Sequence, residues 1–108
     1  GYNRALREVP ADIYVLLNSD VEVTPNWLDA PTKLFEAGHV HAVQPKILAQ
    51  TKRTHFEYAG AGGGFIDFLG YPFCRGRLFQ HIERDSSQYN DIRPVFWASG
   101  ACLFVRAS

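Results

Sequence analysis

The feature that most constrains this chain is an apolar run, Ile13–Leu17, that passes directly into the short polar and acidic segment 18–22. An uncharged run of this kind is typical of a strand buried on both faces, as in a parallel α/β sheet. In open sheets of that class, ligands bind beyond the carboxyl ends of the strands. Asn18, Asp20 and Glu22 fall there, and carboxylate oxygens suit Mg²⁺ or Mn²⁺, which can hold a diphosphate. The pattern leaves open a polar strand-to-helix turn in which Asp20 satisfies loop amides.

Composition narrows the class of protein. With 108 residues the chain is one domain at most, and a hydrophobic content of 46% indicates a packed core. Eleven basic residues balance eleven acidic ones, so nothing favours nucleic acid as a partner. Cys74 and Cys102 have no metal-ligand spacing, which favours reduced thiols in a cytosolic setting. The chain has no methionine and opens on Gly1, so we expect a piece of a longer protein.

Helix signals occur at two places in the first half of the chain. Residues 2–9 predict a helix that Pro10 ends. Thr24 followed by Pro25 predicts the start of a second helix, with Thr24 as the N-cap. Pro31 should kink or split that second helix.

Strand signals dominate the rest of the chain. Residues 41–48 predict a strand that is irregular or lies near an edge, because Pro45 cannot donate to a ladder. Residues 50–94 are rich in glycine and aromatic side chains and predict a long ordered excursion with short strands. Two apolar runs, 95–98 and 101–105, predict a strand, a break and a further strand.

Three other groups each have a functional and a structural interpretation. The glycine cluster at 59–64 lacks the Lys-Ser/Thr ending of a phosphate loop, so we expect close backbone packing or a mobile flap. Glu83 and Asp85 are interpreted as a solvated charged turn and not as a catalytic pair. Trp97 could stack on a sugar ring or could pack in the core.

The order of several segments carries a resemblance that no single motif does. These segments are residues 1–6, 14–23, 24–28, 42–47 and 97–106. Together they strongly resemble the middle of a family 2 glycosyltransferase with the GT-A fold, from the rhamnosyltransferase-like branch. The resemblance implies a partial GT-A (Rossmann-like) three-layer α/β/α sandwich with a mixed, mainly parallel sheet, truncated at both ends.

The same resemblance implies one incomplete catalytic domain over residues 1–108. Within it, residues 1–49 form the nucleotide-sugar and metal half. Residues 50–94 form an irregular insertion to which the resemblance gives no role, and residues 95–108 supply acceptor-side strands.

Members of that family transfer a sugar from a nucleoside diphosphate donor to an acceptor hydroxyl, usually with inversion. Their DxD-type motif falls here on Asn18-Ser19-Asp20. Asp20 matches the acidic residue that contacts Mg²⁺ or Mn²⁺. Donor-binding residues implied by the match are Asn3, Asn18, Asp20 and Glu22. Asn18 replaces the first aspartate of the stricter motif, so its amide is expected to bind the ribose or the donor sugar.

The acceptor side and the missing parts follow from the same resemblance. Trp97, Ser99 and Gly100 match the loop that lines the acceptor and donor-sugar pocket. The strand that grips the nucleotide is expected before Gly1, and the catalytic base beyond Ser108. The chain alone is therefore expected to be inactive in transfer.

The implied partners are a nucleotide-sugar donor, with dTDP-rhamnose or a UDP-hexose foremost, and a saccharide or lipid-linked saccharide acceptor. The implied setting is polysaccharide biosynthesis in the cytoplasm, peripheral to the inner face of the cell membrane. A sheet without its first strands exposes an edge, so we also expect a homodimer through that edge.

Two alternatives stay open. One is a non-catalytic nucleotide- or carbohydrate-binding module of the same fold, which Asn18 favours. The other is a piece of a Rossmann-like dehydrogenase or a nucleotidyltransferase, and the lack of a Gly-x-Gly-x-x-Gly motif argues against the dehydrogenase.

Overall fold

The computed structural model describes residues 1–57 and 62–107. Within these residues the helices are α1 (Tyr2–Glu8) and α2 (Asp29–Leu34). The strands there are β1 (Ile13–Leu17), β2 (Ala42–Val43), β3 (Leu48–Ala49), β4 (Lys52–Phe56), β5 (Gly64–Ile66), β6 (Pro72–Cys74), β7 (Arg77–Leu78), β8 (His81–Ile82) and β9 (Cys102–Arg106).

The largest sheet in the described part of the chain has three strands in the order β1-β9-β2. The central strand β9 is antiparallel to both neighbours, with Phe104 opposite Val15 on one side and opposite Val43 on the other. Because β1 and β2 both oppose β9, they run in the same direction. Their carboxyl ends therefore lie at the edge of the sheet where β9 begins.

One face of this sheet carries the core. Phe104 is fully buried and packs with Phe35 and Cys102. Trp27 meets the Phe104 ring edge-on, with 5.6 Å between the ring centroids. The half-buried side chains packed against this cluster are Ile13, Val15, Leu17, Trp27, Val40, Val43 and Ile47. Alternate residues of β1 thus face α2 and the loops around it, as a period of two requires.

The second helix begins later than the sequence signals predict. Residues 25–28 form turns, in which the Trp27 N–H donates to the Thr24 carbonyl at 3.3 Å and Asn26 has a φ of 59°. Asparagine tolerates this left-handed conformation, which interrupts a helix. The helix starts at Asp29, so Pro31 lies in its first turn, where a missing N–H costs nothing. The predicted helix is therefore interrupted at Asn26 and not at Pro31.

The predicted three-layer α/β/α sandwich with a mainly parallel sheet is wrong. The described residues form small sheets whose neighbouring strands are antiparallel, with short helices. The apolar run at β1 pairs with the antiparallel β9 and is half-buried along its length. Every residue of α1 is exposed, so that helix supplies no third layer over the sheet. Strands β3 to β8 pair in two-stranded hairpins, β3-β4, β5-β6 and β7-β8, instead of adding to the first sheet.

In the described part of residues 50–94, aromatic side chains lie against glycine backbone. Phe56 is fully buried, and a Cβ placed on Gly76 would come within 2.6 Å of its ring. Gly64 lies in the same way against the indole of Trp97. Close backbone packing is thus found for the described glycines of the cluster at 59–64. Residues 59–61 of that cluster lie outside the described residues, as does Ser108.

Candidate functional site

Three segments meet at the edge where β1 and β2 end and β9 begins. The N–H of Asn18, just after β1, donates to the Ala101 carbonyl at 3.0 Å. The N–H of Ser99, just before β9, donates to the side-chain Oε1 of Gln44 at 2.6 Å. Gln44 is the first residue after β2. We call residues 18–22, 44–46 and 99–101 the strand-end edge. The topology thus brings together the motif at 18–20 and the loop at 99–101, which lie about 80 residues apart in the sequence.

The motif residues themselves form a tight turn open to solvent. The N–H of Val21 donates to the Asn18 carbonyl at 3.2 Å, which turns the chain directly after β1. Both Asn18 and Asp20 are exposed. The Asp20 carboxylate is therefore accessible to a ligand, and the turn keeps it on the strand-end edge.

Glu22 is engaged in an ion pair instead of being free for a cation. Both of its carboxylate oxygens accept from the same guanidinium nitrogen of Arg53, at 2.9 and 2.8 Å. The Gln50 amide donates to it as well, at 3.1 Å. The amide of Gln50 and then the guanidinium of Arg53 lower the pKa of the Glu22 carboxyl. These contacts join the β3–β4 hairpin to the motif.

Asn3 lies on α1, apart from these contacts. It is exposed and lines an open depression with Gly1, Tyr2, Arg4 and Arg7. Helix α1 reaches the sheet through Tyr14, whose hydroxyl donates to the Val9 carbonyl at 2.6 Å. The hydrogen bonds within residues 1–57 and 62–107 therefore bring Asn18, Ser99 and Gln44 together, and do not bring Asn3 to them.

The acceptor-side residues divide into two groups. Trp97 is half-buried, with Gly64 against its indole and its Nε1–H donating to the Phe65 carbonyl at 3.0 Å. It therefore fastens the β5 segment to the chain before β9. Ser99 lies on the strand-end edge itself, where its hydroxyl accepts from the Ala101 N–H at 3.2 Å. Gly100, between Ser99 and Ala101, is exposed.

Gln44, Lys46 and Arg53 are site residues that sequence reasoning did not select. Lys46 donates to Asp85 at 2.7 Å and to Asn90 at 2.6 Å. The Asp85 side chain is only 14% exposed, so the prediction of a solvated turn is wrong for Asp85. A signal for Gln44 and Lys46 was present, because polar residues follow the second apolar run as they follow β1. The sequence carries no comparable signal for Arg53.

A divalent cation at this edge would have few ligands from the protein. Among residues 1–57 and 62–107, no three His, Cys, Asp or Glu side chains are grouped as a metal site. Magnesium, however, commonly takes one or two carboxylates and completes its shell with water and substrate phosphates. The exposed Asp20 carboxylate meets that smaller requirement. The donor set therefore fits a metal that arrives with a diphosphate better than a permanently bound one.

Comparisons with known proteins give no identification. No family model, no curated protein and no solved structure matches this chain.

In the described part of the chain, neither helix is long and apolar enough to cross a bilayer.

Proposed function

We propose that this chain carries the donor-diphosphate site of a glycosyltransferase that takes its sugar from a nucleoside diphosphate. The observation that supports the proposal most is the hydrogen bond between Asn18 and Ala101. It joins the motif expected to hold the donor to the loop expected to receive the acceptor. Donor and acceptor must meet within bond-forming distance, so these two segments have to be neighbours.

Asp20 is the residue proposed to hold Mg²⁺ or Mn²⁺. When bound, the metal offsets the charge that develops on the departing diphosphate. The Asn18 amide carries both a donor and an acceptor, and hydrogen-bonds the ribose or the donor sugar. Ser99 and Gly100 lie beside the acceptor hydroxyl, and Gln44 fixes that loop through the Ser99 N–H.

Inverting transfer also requires a general base that takes the proton of the acceptor hydroxyl as it attacks the anomeric carbon. We assign no residue of this chain to that step. The proposed activity therefore belongs to the whole protein. Its donor is a nucleotide sugar, its acceptor is a saccharide or lipid-linked saccharide, and its setting is the cytoplasmic side of a membrane.

A second candidate function is a binding module that recognises a nucleotide or a saccharide without turnover. The replacement of the first motif carboxylate by Asn18 favours it, because the edge then holds less charge for a metal. Glu22 does not restore that charge, since Arg53 neutralises it. The two candidates differ in whether the metal contributes to binding.

Calorimetric titration of this chain with UDP, dTDP and GDP, with and without Mn²⁺, tests the proposal. We expect binding that Mn²⁺ strengthens and that Asp20→Asn weakens about tenfold or more, since a charged ligand is lost. Asp12→Asn is the matched control, because it makes the same change at the opposite end of β1. Binding that changes neither with Mn²⁺ nor in Asp20→Asn favours the binding module. If the folded chain binds none of the three nucleotides, that result contradicts the proposed donor site.

A further inference from the structure

We propose that Arg53, which lies beside the strand-end edge, binds the donor diphosphate, and that Glu22 holds its guanidinium until a diphosphate replaces the carboxylate. This inference rests on the proposed function and assigns a task to the β3–β4 hairpin. In the structure both Glu22 oxygens accept from the same guanidinium nitrogen, at 2.9 and 2.8 Å. A phosphate group can accept hydrogen bonds from the same guanidinium, so it would compete with the carboxylate for Arg53.

The position of Glu22 places Arg53 beside the proposed metal ligand. Glu22 follows Asp20 by two residues, so their Cα atoms are at most about 7 Å apart. Arg53, which pairs with Glu22, is therefore held near the residue that is proposed to bind the metal.

A cation in addition to the metal would favour the binding of a diphosphate at this edge. Asp20 and Glu22 are both acidic, and a diphosphate brought to them alone would meet repulsion. Lys46, a cation of the strand-end edge itself, is engaged by Asp85 and Asn90. Arginine binds phosphate oxygens through a planar fork of donors, which an ammonium group does not have.

The ion pair is built to exchange partners. The side chains of Arg53 and Glu22 are 69% and 53% exposed, so water and salt compete with their attraction. The strand beneath them is firmly held, because Phe56 at the end of β4 is fully buried and its N–H donates to the Glu83 carbonyl at 3.2 Å. The backbone of Arg53 is thus fixed, while its side chain is free to turn from the carboxylate to an incoming anion.

The direction in which one substitution changes the binding affinity separates this inference from the simpler role of Glu22 as a ligand of the donor. If Glu22 bound the donor or its metal, Glu22→Gln would weaken binding. If Glu22 competes with the anion for Arg53, the same substitution frees the guanidinium and strengthens binding.

The test is titration of the chain with inorganic pyrophosphate at low salt and without metal, followed by UDP with Mn²⁺. We expect Arg53→Gln to weaken pyrophosphate binding about tenfold, as loss of one charged partner does, and Glu22→Gln to strengthen it severalfold. Lys52→Gln is the matched control, because it removes one positive charge from the adjacent β4 position, whose side chain points to the other face. Circular dichroism checks that each variant keeps its fold.

The pyrophosphate titration and the UDP titration together distinguish failure of this inference from failure of the proposed function. In one outcome UDP binding depends on Asp20 and on Mn²⁺, but Arg53→Gln and Glu22→Gln change neither the pyrophosphate nor the UDP titration. That outcome overturns the inference and leaves the proposed function standing. The expected pyrophosphate pattern without any Asp20-dependent UDP binding supports the anion site and contradicts the donor site. Weaker binding by Glu22→Gln, or no binding of either probe to the folded chain, overturns the inference.

Discussion

Gly64 is a position at which the fold requires the absence of a side chain. A Cβ there would lie 2.1 Å from the indole of Trp97. The Gly64 carbonyl also accepts from the Phe96 N–H at 2.8 Å, so the backbone is held where it is. The glycine cluster of the sequence is thus explained in part by aromatic rings that lie directly on the main chain.

We predict that Gly64→Ala destabilises the protein by about 1–3 kcal/mol, because an added methyl group in a filled site forces the ring or the backbone to move. The free energy of unfolding in urea measures this effect, and Trp97 fluorescence reports the displaced indole. Gly38→Ala is the control, since a Cβ at Gly38 meets nothing within 4 Å. Equal stability of the two variants would show that the contact with Trp97 does not restrict Gly64.

The ion pair between Lys46 and Asp85 is expected to make the stability of the protein depend on pH in the acid range. The hydrogen bond from Lys46 is the largest cause that lowers the pKa of the Asp85 carboxyl below its ordinary value of 3.8, and burial opposes it in part. Since the folded pKa lies below the unfolded one, the stabilisation is complete above the ordinary value and is lost as pH falls through the folded pKa.

We therefore expect the urea midpoint to fall as the pH is lowered from above the ordinary carboxyl value of 3.8 through the lower pKa of the folded state. In Asp85→Asn this fall should be shallower, because an amide at residue 85 does not titrate over that range. A fall of equal steepness in both proteins would assign the acid sensitivity to other carboxyl groups.

The attachment of α2 to the sheet depends on a side chain from β9. The guanidinium of Arg106 donates to the Val40 carbonyl at 3.0 Å and to the carbonyls of Phe35 and Ala37. It also lies over the Phe35 ring, 5.4 Å from its centroid. The cation thus binds the carbonyl of the C-cap residue of α2 and two carbonyls of the segment that follows it, and it lies at the helix end that a positive charge stabilises.

We predict that Arg106→Gln lowers the free energy of unfolding by about 1.5–3 kcal/mol, the range for hydrogen bonds to a charged group. Arg4→Gln is the matched control, because its pair with Glu8 is exposed and such pairs contribute little. Chemical denaturation of both variants measures the difference. A loss in Arg4→Gln as large as that in Arg106→Gln would contradict the anchoring role.

At the level of helices and strands, the sequence predicts the bounds that are set by neighbouring residues in the chain. The apolar run 13–17 gives the bounds of β1, and Pro10 places the end of α1 within two residues. The start of α2 was predicted too early, because Asn26 has a left-handed backbone conformation that interrupts the helix after the N-cap signal at Thr24. The strand predicted at 41–48 shortens to two residues, since Pro45 cannot donate and the chain turns away to form β3.

For the whole molecule, the sequence did not predict which strands pair or in which direction they run. An apolar run is equally compatible with parallel and antiparallel neighbours, and only the position of β9 between β1 and β2 decides between them. Residues 18–20 and 99–101 lie together because the first segment follows β1 and the second precedes β9, and these two strands pair. The partner of Glu22 was not predictable, since Arg53 reaches it through a hairpin with no motif of its own.

The central claim is that the strand-end edge binds a metal together with a diphosphate, and paramagnetic broadening tests it most directly. Amide signals of the isotope-labelled chain are recorded with UDP while Mn²⁺ is added, in the native protein and in Asp20→Asn. We predict broadening centred on residues 18–21 and 99–101, with Asp12 and Ala107 at the far end of the same strands least affected, and its loss in Asp20→Asn. Broadening centred elsewhere, or unchanged in Asp20→Asn, would contradict the assignment of this edge as the donor site.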